Sequence, residues 1–205
     1  YYKAVVEDMP MSGCSDDALA AIESIYQTRN EPEEFLKYIE SIGKGASKSE
    51  GEKAKMIFNA AEQNYLSGSY QKALASLQAY LDKYPAGKFA NNAEFYIADS
   101  YRQLGKYEQA CDSYEKVIAG GSGSFVELAM LNFSDLSYKL ERWEDAFGGY
   151  SSLYSAARFD NNRLTSVIGM MRSAYRGRMW DEAIKKSDMV LFDSRVDAGV
   201  QSEAE

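Results

Sequence analysis

The sequence predicts an all-α fold built as a solenoid, in which similar pairs of antiparallel helices stack on one another. An aromatic residue recurs along the chain at spacings of 37, 36 and 37 residues, at Tyr70, Tyr107, Trp143 and Trp180. Three residues after each aromatic there is an alanine: Ala73, Ala110, Ala146 and Ala183. No stretch alternates between polar and apolar residues for long enough to predict a strand. A period of this length is typical of solenoids, because each pair must stack on its neighbour to bury its apolar face.

The two clearest copies of the pair lie between residues 54 and 120. In the first copy, an amphipathic run ends before Gly68, and a second run opens at Tyr70 and stops at Pro85. In the second copy, Gly105 separates two similar runs, and Tyr107 opens the second of them. Glycine between two runs of helical period predicts a helix, a tight turn and a second helix.

The same pattern, in weaker form, divides the rest of the chain. The predicted segments are the second helix of a truncated repeat (1–11), a degenerate helix pair (12–43), a linker (44–53), three repeats (54–90, 91–124 and 125–160), a further pair (161–193) and the start of a next helix (194–205). Both ends are therefore expected to be cuts through a longer protein.

Local signals place several helix ends and turns. We expect Ser15 to cap a helix over 16–29 and Pro32 to occupy the first position of the next helix, at the position that Tyr70 holds in the later copy. Glu141 replaces the turn glycine of the third pair, and Gly177 is the expected turn of the fourth. The glycine-rich stretch 120–123 is predicted to be a turn between repeats, because it lacks the strand and the Gly-Lys-Ser/Thr of a phosphate-binding loop.

Composition limits the classes of partner. The chain has 205 residues, an apolar share of 45% and a net charge of −8. The negative charge argues against nucleic acid as a partner, since phosphate binding needs clustered basic residues. No apolar run approaches the roughly 20 residues of a spanning helix, so direct membrane insertion of this segment is not expected. Residues 161–190 carry six basic and three acidic side chains, which favours a solvated face or, less strongly, a surface for an acidic partner.

The residues that usually carry catalysis and metal binding are scarce. Histidine is absent, and the two cysteines, Cys14 and Cys111, lie too far apart for a close-spaced zinc or disulfide motif. A carboxylate pair such as Asp99 and Asp135 could serve in acid–base chemistry, but charged solenoid faces often contain such pairs. The sequence therefore predicts neither an enzyme nor a cofactor site.

The repeated residues resemble the tetratricopeptide repeat, in which small residues lie at the helix crossing and aromatics pack between pairs. The resemblance is strong over 54–192 and loose over 12–43. The matching residues of the clearer copies are Ala60, Ala61, Tyr65, Gly68, Tyr70, Ala73, Leu77 and Pro85, then Ile97, Ala98, Tyr101, Gly105, Tyr107, Ala110 and Tyr114. The third and fourth copies keep Tyr138, Trp143, Ala146 and Tyr150, then Tyr175, Gly177, Trp180 and Ala183. This family resemblance implies a right-handed superhelix, and another α-solenoid of helical hairpins is the alternative.

In this family the first helix of each pair lines a concave groove that binds a peptide or a partner helix. Residues about four apart share that face. The groove positions that the resemblance implies are Phe58, Glu62, Tyr65, Phe95, Asp99, Arg102, Leu131, Asp135, Tyr138, Ile168, Arg172 and Tyr175. The alternative is that many of these side chains pack between repeats. Family members that bind a C-terminal carboxylate use Lys and Asn where this chain has Glu62, Phe95 and Asp99, which argues against that mode.

The segment from Tyr80 to Ala110 is also similar to units of multi-repeat envelope proteins of Gram-negative bacteria, the outer-membrane assembly lipoprotein and the envelope-constriction coordinator. That resemblance implies a periplasmic or envelope-associated location. The predicted function is a non-catalytic protein–protein interaction scaffold that binds a peptide or partner helix in the groove. The alternative is a structural spacer, packed on the rest of the parent chain, or the regulatory arm of a larger envelope or signalling protein.

Overall fold

The computed structural model describes residues 1–121 and 123–205, and this part of the chain is α-helical apart from turns and one 3-10 turn at Gly45–Ser47. The helices are α1 (Tyr2–Asp8), α2 (Gly13–Thr28), α3 (Pro32–Ser41), α4 (Glu50–Leu66), α5 (Tyr70–Lys83), α6 (Ala90–Gln103), α7 (Tyr107–Ala119), α8 (Val126–Lys139), α9 (Trp143–Ala156), α10 (Asp160–Arg176), α11 (Trp180–Leu191) and α12 (Ala198–Ala204). The predicted all-α fold is confirmed.

Two compact units make up the chain, residues 1–96 and 97–205, and the boundary between them falls within α6. In the first unit α1 packs against α2, α2 against α3, α3 against α4, and α4 against α5. In the second unit each helix from α7 to α12 packs against the next, and α8 also contacts α10. Within each unit, helices that are neighbours in sequence are neighbours in space, as in a solenoid of helix pairs.

The repeated alanines lie in the core, as expected at a close helix crossing. Ala73, Ala110 and Ala146 have no exposed surface, and Ala183 is 7% exposed. The aromatics that begin the same helices are half-buried in the first three pairs, whereas Trp180 is 54% exposed. The fourth pair is thus less completely covered than the others.

A shared backbone turn joins the two helices of each pair. The N–H of Ser69 donates to the carbonyl of Asn64 at 2.9 Å, and the equivalent bonds close the later turns, Lys106 to Tyr101, Arg142 to Ser137 and Met179 to Ala174. In each turn one residue has a left-handed backbone, and these residues are Asn30, Gly68, Gly105, Glu141 and Arg178. Gly177 lies in the fourth turn, as predicted. Its own φ is −79°, however, and the left-handed position of the common register falls on Arg178.

The N-terminal pair differs from the sequence prediction at its first helix. Ser15 is not an N-cap; α2 begins at Gly13 after Ser12, and Ser15 is a fully buried residue within the helix. Pro32 occupies the first position of α3, as predicted. The Lys44 Nζ donates a hydrogen bond to the Ser15 Oγ at 3.3 Å. The Ser15 hydroxyl therefore takes part in a tertiary contact and does not cap a helix.

Helix α4 begins at Glu50, inside the segment predicted to be a linker. Ser49 and Glu52 form a capping box, in which the Ser49 Oγ accepts from the Glu52 N–H and the Glu52 carboxylate accepts from the Ser49 N–H. The box satisfies backbone donors at the start of the helix and so extends it towards the linker. Ser122, in the predicted turn at 120–123, lies outside the described residues. None of the helices that the structure describes is long and apolar enough to cross a membrane.

Candidate functional site

Two of the predicted groove residues in the first unit, Phe58 and Phe95, are in its core. Phe58 is 2% exposed, and its ring stacks on that of Phe89 with the centroids 4.6 Å apart. Phe95 is 3% exposed. These two rings are therefore core residues and offer almost no surface to a partner.

Glu62 and Tyr65 belong to a half-buried cluster with Tyr96. The Tyr96 hydroxyl donates to the Glu62 carboxylate at 2.8 Å, and the rings of Tyr65 and Tyr96 stack with centroids 4.5 Å apart. Burial, and then the Glu62 carboxylate, raise the pKa of Tyr96 to about 12. Tyr96 is not among the predicted groove residues. It lies 34 residues after Glu62, close to one repeat period, on the next first helix.

Asp99 is a buried structural residue. It is 3% exposed, its carboxylate accepts from the Tyr114 hydroxyl at 2.9 Å, and it forms an ion pair with Arg102 at 2.7 Å. Burial and the neighbouring Asp99 carboxylate raise the pKa of Tyr114. Asp99 therefore joins two helices of the second unit and is not on an open face.

Asp135 has the same kind of partner but is exposed. The Tyr150 hydroxyl donates to the Asp135 carboxylate at 2.6 Å, and both burial and this hydrogen bond raise the pKa of Tyr150. Leu131 and Ile168 are half-buried and pack against the core cluster of the second unit. These three predicted groove residues therefore place two apolar side chains and one exposed carboxylate in this part of the second unit.

Five of the predicted groove residues come together around two adjoining cavities in the second unit. The first cavity has a volume of about 290 Å³ and is lined by Asp135, Tyr138, Tyr150, Thr165, Ile168, Gly169 and Arg172. The second has a volume of about 270 Å³ and is lined by Tyr138, Met171, Arg172, Tyr175, Arg176, Ala183, Ser187 and Glu203. Tyr138 and Arg172 line both cavities, so α8 and α10 present one continuous surface, which we call the α8–α10 surface.

Tyr138 and Tyr175 are equivalent residues at the ends of α8 and α10, and each contacts the aromatic that begins the next helix. The ring centroids of Tyr138 and Trp143 are 5.0 Å apart, and those of Tyr175 and Trp180 are 5.9 Å apart, both edge to face. Tyr175 is 64% exposed. Rings that are held in place on one side and open on the other are suited to anchoring a partner.

Arg172, another predicted groove residue, forms an ion pair with a carboxylate. Its guanidinium donates to both oxygens of the Glu203 carboxylate on α12, with Nη2 2.7 Å from Oε2 and Nε 3.0 Å from Oε1. Hydrogen bonding to Glu203, together with the negative charge of that carboxylate, raises the pKa of Arg172. Glu203, Arg176 and Ser187 were missed because they lie on α12, at the last turn of α10 and on the second helix of the pair.

The described residues contain no group of three or more acidic or sulfur ligands that could hold a metal ion. The two carboxylates considered for acid–base chemistry, Asp99 and Asp135, each accept a hydrogen bond from a tyrosine with a raised pKa. Each hydroxyl therefore stays protonated as a donor. The two Tyr–Asp hydrogen bonds join neighbouring helices. The α8–α10 surface, beside the second of them, presents rings and charged side chains.

Comparisons with known proteins identify the repeat. Residues 92–119 match the model of a tetratricopeptide repeat (TPR) family. No curated protein matches the sequence significantly.

Solved structures match the fold along almost the whole chain. A structure from the functional characterization of Pseudomonas aeruginosa pilF is 18% identical with a TM-score of 0.53, covering 98% of this chain and 85% of that chain. The nearly identical TPR-like repeats of a putative kinesin light chain from Podosopora anserina are 12% identical with a TM-score of 0.53, covering 92% of this chain and 96% of that chain. At such identities the similarity concerns the fold alone.

The TPR fold is generally a non-enzymatic interaction scaffold, and it suggests protein partners. The implied envelope location stays a prediction, because neither the repeat match nor the structural matches bear on it. Residues 92–119 are similar to a tetratricopeptide repeat, and the chain has an all-α, TPR-like solenoid fold.

Proposed function

We propose that this chain is a protein-interaction scaffold whose α8–α10 surface binds a segment of a partner polypeptide. The observation that carries the proposal is that Tyr138 and Arg172, from two successive first helices, line two adjoining cavities. A surface shared by successive pairs suits an elongated ligand, because each pair contributes the same kind of contact one step further along.

The chemistry of the α8–α10 surface favours a peptide or helix with both apolar and charged side chains. Ile168 and the rings of Tyr138 and Tyr175 provide apolar contact area, and tyrosine is enriched among the residues that contribute most to binding. Asp135 and Arg172 lie beside these rings and carry opposite charges. The rings would supply affinity, while the charges would select the partner and fix its register.

The experiment measures the binding of peptides selected from a random library against the wild-type chain. Replacing Tyr138 or Tyr175 by Ala should weaken binding of the selected peptides about tenfold or more, the loss typical of an anchoring aromatic. Tyr154→Ala is the matched control, since Tyr154 is an exposed tyrosine on α9, outside the surface. Circular dichroism establishes that each variant keeps its helices.

The spacer alternative predicts a different result. A chain that only packs on other parts of its parent protein would select no peptide whose affinity depends on Tyr138 and Tyr175. Equal affinity for the wild type and both groove variants, with the fold intact, would reject the α8–α10 surface as the binding site.

A further inference from the structure

The two middle helix pairs share a hydrogen bond between a tyrosine of the second helix and an aspartate of the first. Tyr114 donates to Asp99 at 2.9 Å, and Tyr150 donates to Asp135 at 2.6 Å. Tyr114 has no exposed surface and Tyr150 is 6% exposed, so each ring fills space inside its pair. In both pairs, therefore, the second helix places a buried tyrosine next to a predicted groove residue of the first helix.

The fourth pair lacks both partners of this hydrogen bond. Ser187 lies 37 residues after Tyr150, and Arg172 lies 37 residues after Asp135. Ser187 lines the cavity of about 270 Å³, together with Ala183 and Arg172. A serine leaves most of a tyrosine's volume empty. This cavity, here named the Ser187 cavity, therefore corresponds to the space that a tyrosine ring would fill at this position.

The size and walls of the Ser187 cavity suit one aromatic side chain. Its volume is below the roughly 300–1,000 Å³ of pockets that take whole small molecules. Tyr138 and Tyr175 provide aromatic walls and Met171 a thioether. Rings pack favourably edge to face on other rings and against methionine sulfur. An aromatic side chain would therefore gain more here than an aliphatic one of similar size.

The charges at the rim favour a carboxylate next to that ring. Arg172 is already paired with Glu203, which leaves Arg176 as the available cation, since it has no hydrogen-bond or ion-pair partner in the described part of the chain. Residues 161–190 carry six basic and three acidic side chains, although the whole chain is at −8. Glu203 at the same rim repels a second carboxylate, so the guanidinium of Arg176 is where a partner's acid gains most.

We propose that the Ser187 cavity binds an aromatic side chain of the partner segment, and that a carboxylate beside this ring pairs with Arg176. The inference rests on the proposed function and specifies the chemistry of the ligand. The partner would thus complete the fourth pair with the kind of ring that the second and third pairs provide for themselves.

The probe is N-acetylphenylalanine, which carries one ring and one carboxylate. In the wild-type chain with ¹³C-labelled methionine methyl groups, we expect the probe to shift the Met171 resonance at millimolar concentrations, the range of a fragment-sized ligand. N-acetylalanine, without the ring, and N-acetylphenylalanine amide, without the carboxylate, should both bind more weakly. Absence of a shift at Met171, or equal shifts with all three compounds, would overturn the proposal.

Ser187→Leu tests whether the probe binds in the cavity, because the leucine side chain would fill it. Leu77 occupies the equivalent position of the first pair and has no exposed surface, so leucine fits this position in the repeat. We expect Ser187→Leu to raise Tm by about 2–4 °C by filling the cavity and to abolish the shift of Met171 by the probe. Ser155→Leu, at an exposed serine of α9, should leave probe binding unchanged.

Two charge variants complete the test. Arg176→Gln should reduce the preference for N-acetylphenylalanine over its amide, and Glu203→Gln should increase it by removing the competing negative charge. Probe binding that persists in Ser187→Leu would show that the ring binds elsewhere. Self-association of the wild type that Ser187→Leu abolishes would identify a second copy as the occupant and would likewise overturn the proposal.

The outcomes distinguish this inference from the proposed function. If selected peptides lose affinity with Tyr138→Ala but keep it with Ser187→Leu, the α8–α10 surface binds its partner without using the Ser187 cavity. If neither variant affects any selected peptide, the proposed function itself fails.

Discussion

Ala110 shows at the scale of a single residue why the repeat keeps alanine at the helix crossing. It is fully buried, and the equivalent alanines of the other pairs are buried too. Ala110→Arg should lower the free energy of unfolding by about 3 kcal/mol, because a long charged side chain overpacks the crossing. Chemical denaturation measures the loss. Gln109→Arg, at the exposed neighbouring position, should change it by less than about 0.5 kcal/mol; similar effects at both positions would contradict the assigned register.

Asp99 and Asp135 occupy equivalent positions but differ in burial, and this difference predicts different costs of removal. Asp99→Ala should destabilise the chain by about 3 kcal/mol, because it leaves Arg102 without its carboxylate and removes the acceptor of a buried tyrosine hydroxyl. Asp135→Ala should cost about 1 kcal/mol, since Asp135 is exposed and water can replace it. Urea denaturation of the two variants compares them directly, and a larger loss for Asp135→Ala would contradict the assigned roles.

The raised pKa of Tyr96 predicts that the free energy of unfolding falls at alkaline pH. Its pKa is raised from 10.0 to about 12, so the folded state disfavours the phenolate. The free energy of unfolding should be unaffected by this group below about pH 10 and should fall as the pH rises towards about 12, because the unfolded chain then releases the proton first. Other tyrosines with raised pKa act in the same direction: Tyr38, Tyr80, Tyr114 and Tyr150. Tyr96→Phe should make this fall less steep in denaturation at increasing pH, and an unchanged slope would contradict the assignment.

At the scale of the element, the turn between paired helices requires a left-handed residue. Glu141 adopts φ of 59° at the position where Gly68 and Gly105 stand in earlier pairs. Glu141→Gly should stabilise the chain by about 0.5–1 kcal/mol, since relief of left-handed strain outweighs the backbone entropy of glycine. Gly105→Ala should have the opposite sign, because its added Cβ meets nothing within 4 Å and only the strain remains. Thermal unfolding compares the two variants, and the same sign for both would contradict this account of the turn.

The positions of the paired helices could be predicted from the sequence, because aromatic, alanine and turn recur together. Trp143 begins α9 and Trp180 begins α11, as the spacing predicts. Individual helix ends were less predictable. Ser15 is a residue type that often caps helices, but here it is buried within α2. Gly177 is a residue type that favours left-handed turns, but the common register of the turns gives that conformation to the next residue.

The candidate site could be predicted only in part, for a related reason. Helical spacing indicates which face a residue is on, and three of the residues that it grouped, Tyr138, Ile168 and Arg172, line one cavity. Spacing cannot show which side chains of other helices cover that face. Phe89 stacks on Phe58, so this predicted groove residue is closed off by a ring outside the repeat pattern.

At the scale of the whole molecule, the chain divides into two compact units, and the proposed binding surface lies within residues 97–205. Within that unit the second and third pairs fill their interiors with tyrosine, while the fourth has serine and a cavity. The α8–α10 surface thus joins a completed pair to an incomplete one. A partner segment that crosses both would contact fixed rings at one end and fill the Ser187 cavity at the other.

The most direct measurement is NMR chemical-shift mapping of the isotope-labelled chain with a peptide selected for binding. We predict that the largest shifts occur at Tyr138, Ile168, Arg172 and Tyr175, on the first helices of the third and fourth pairs. Residues on the outer part of α9, such as Tyr154, should shift little. Shifts concentrated on α9, or no localised shifts at saturating peptide, would contradict the claim that the α8–α10 surface binds the partner.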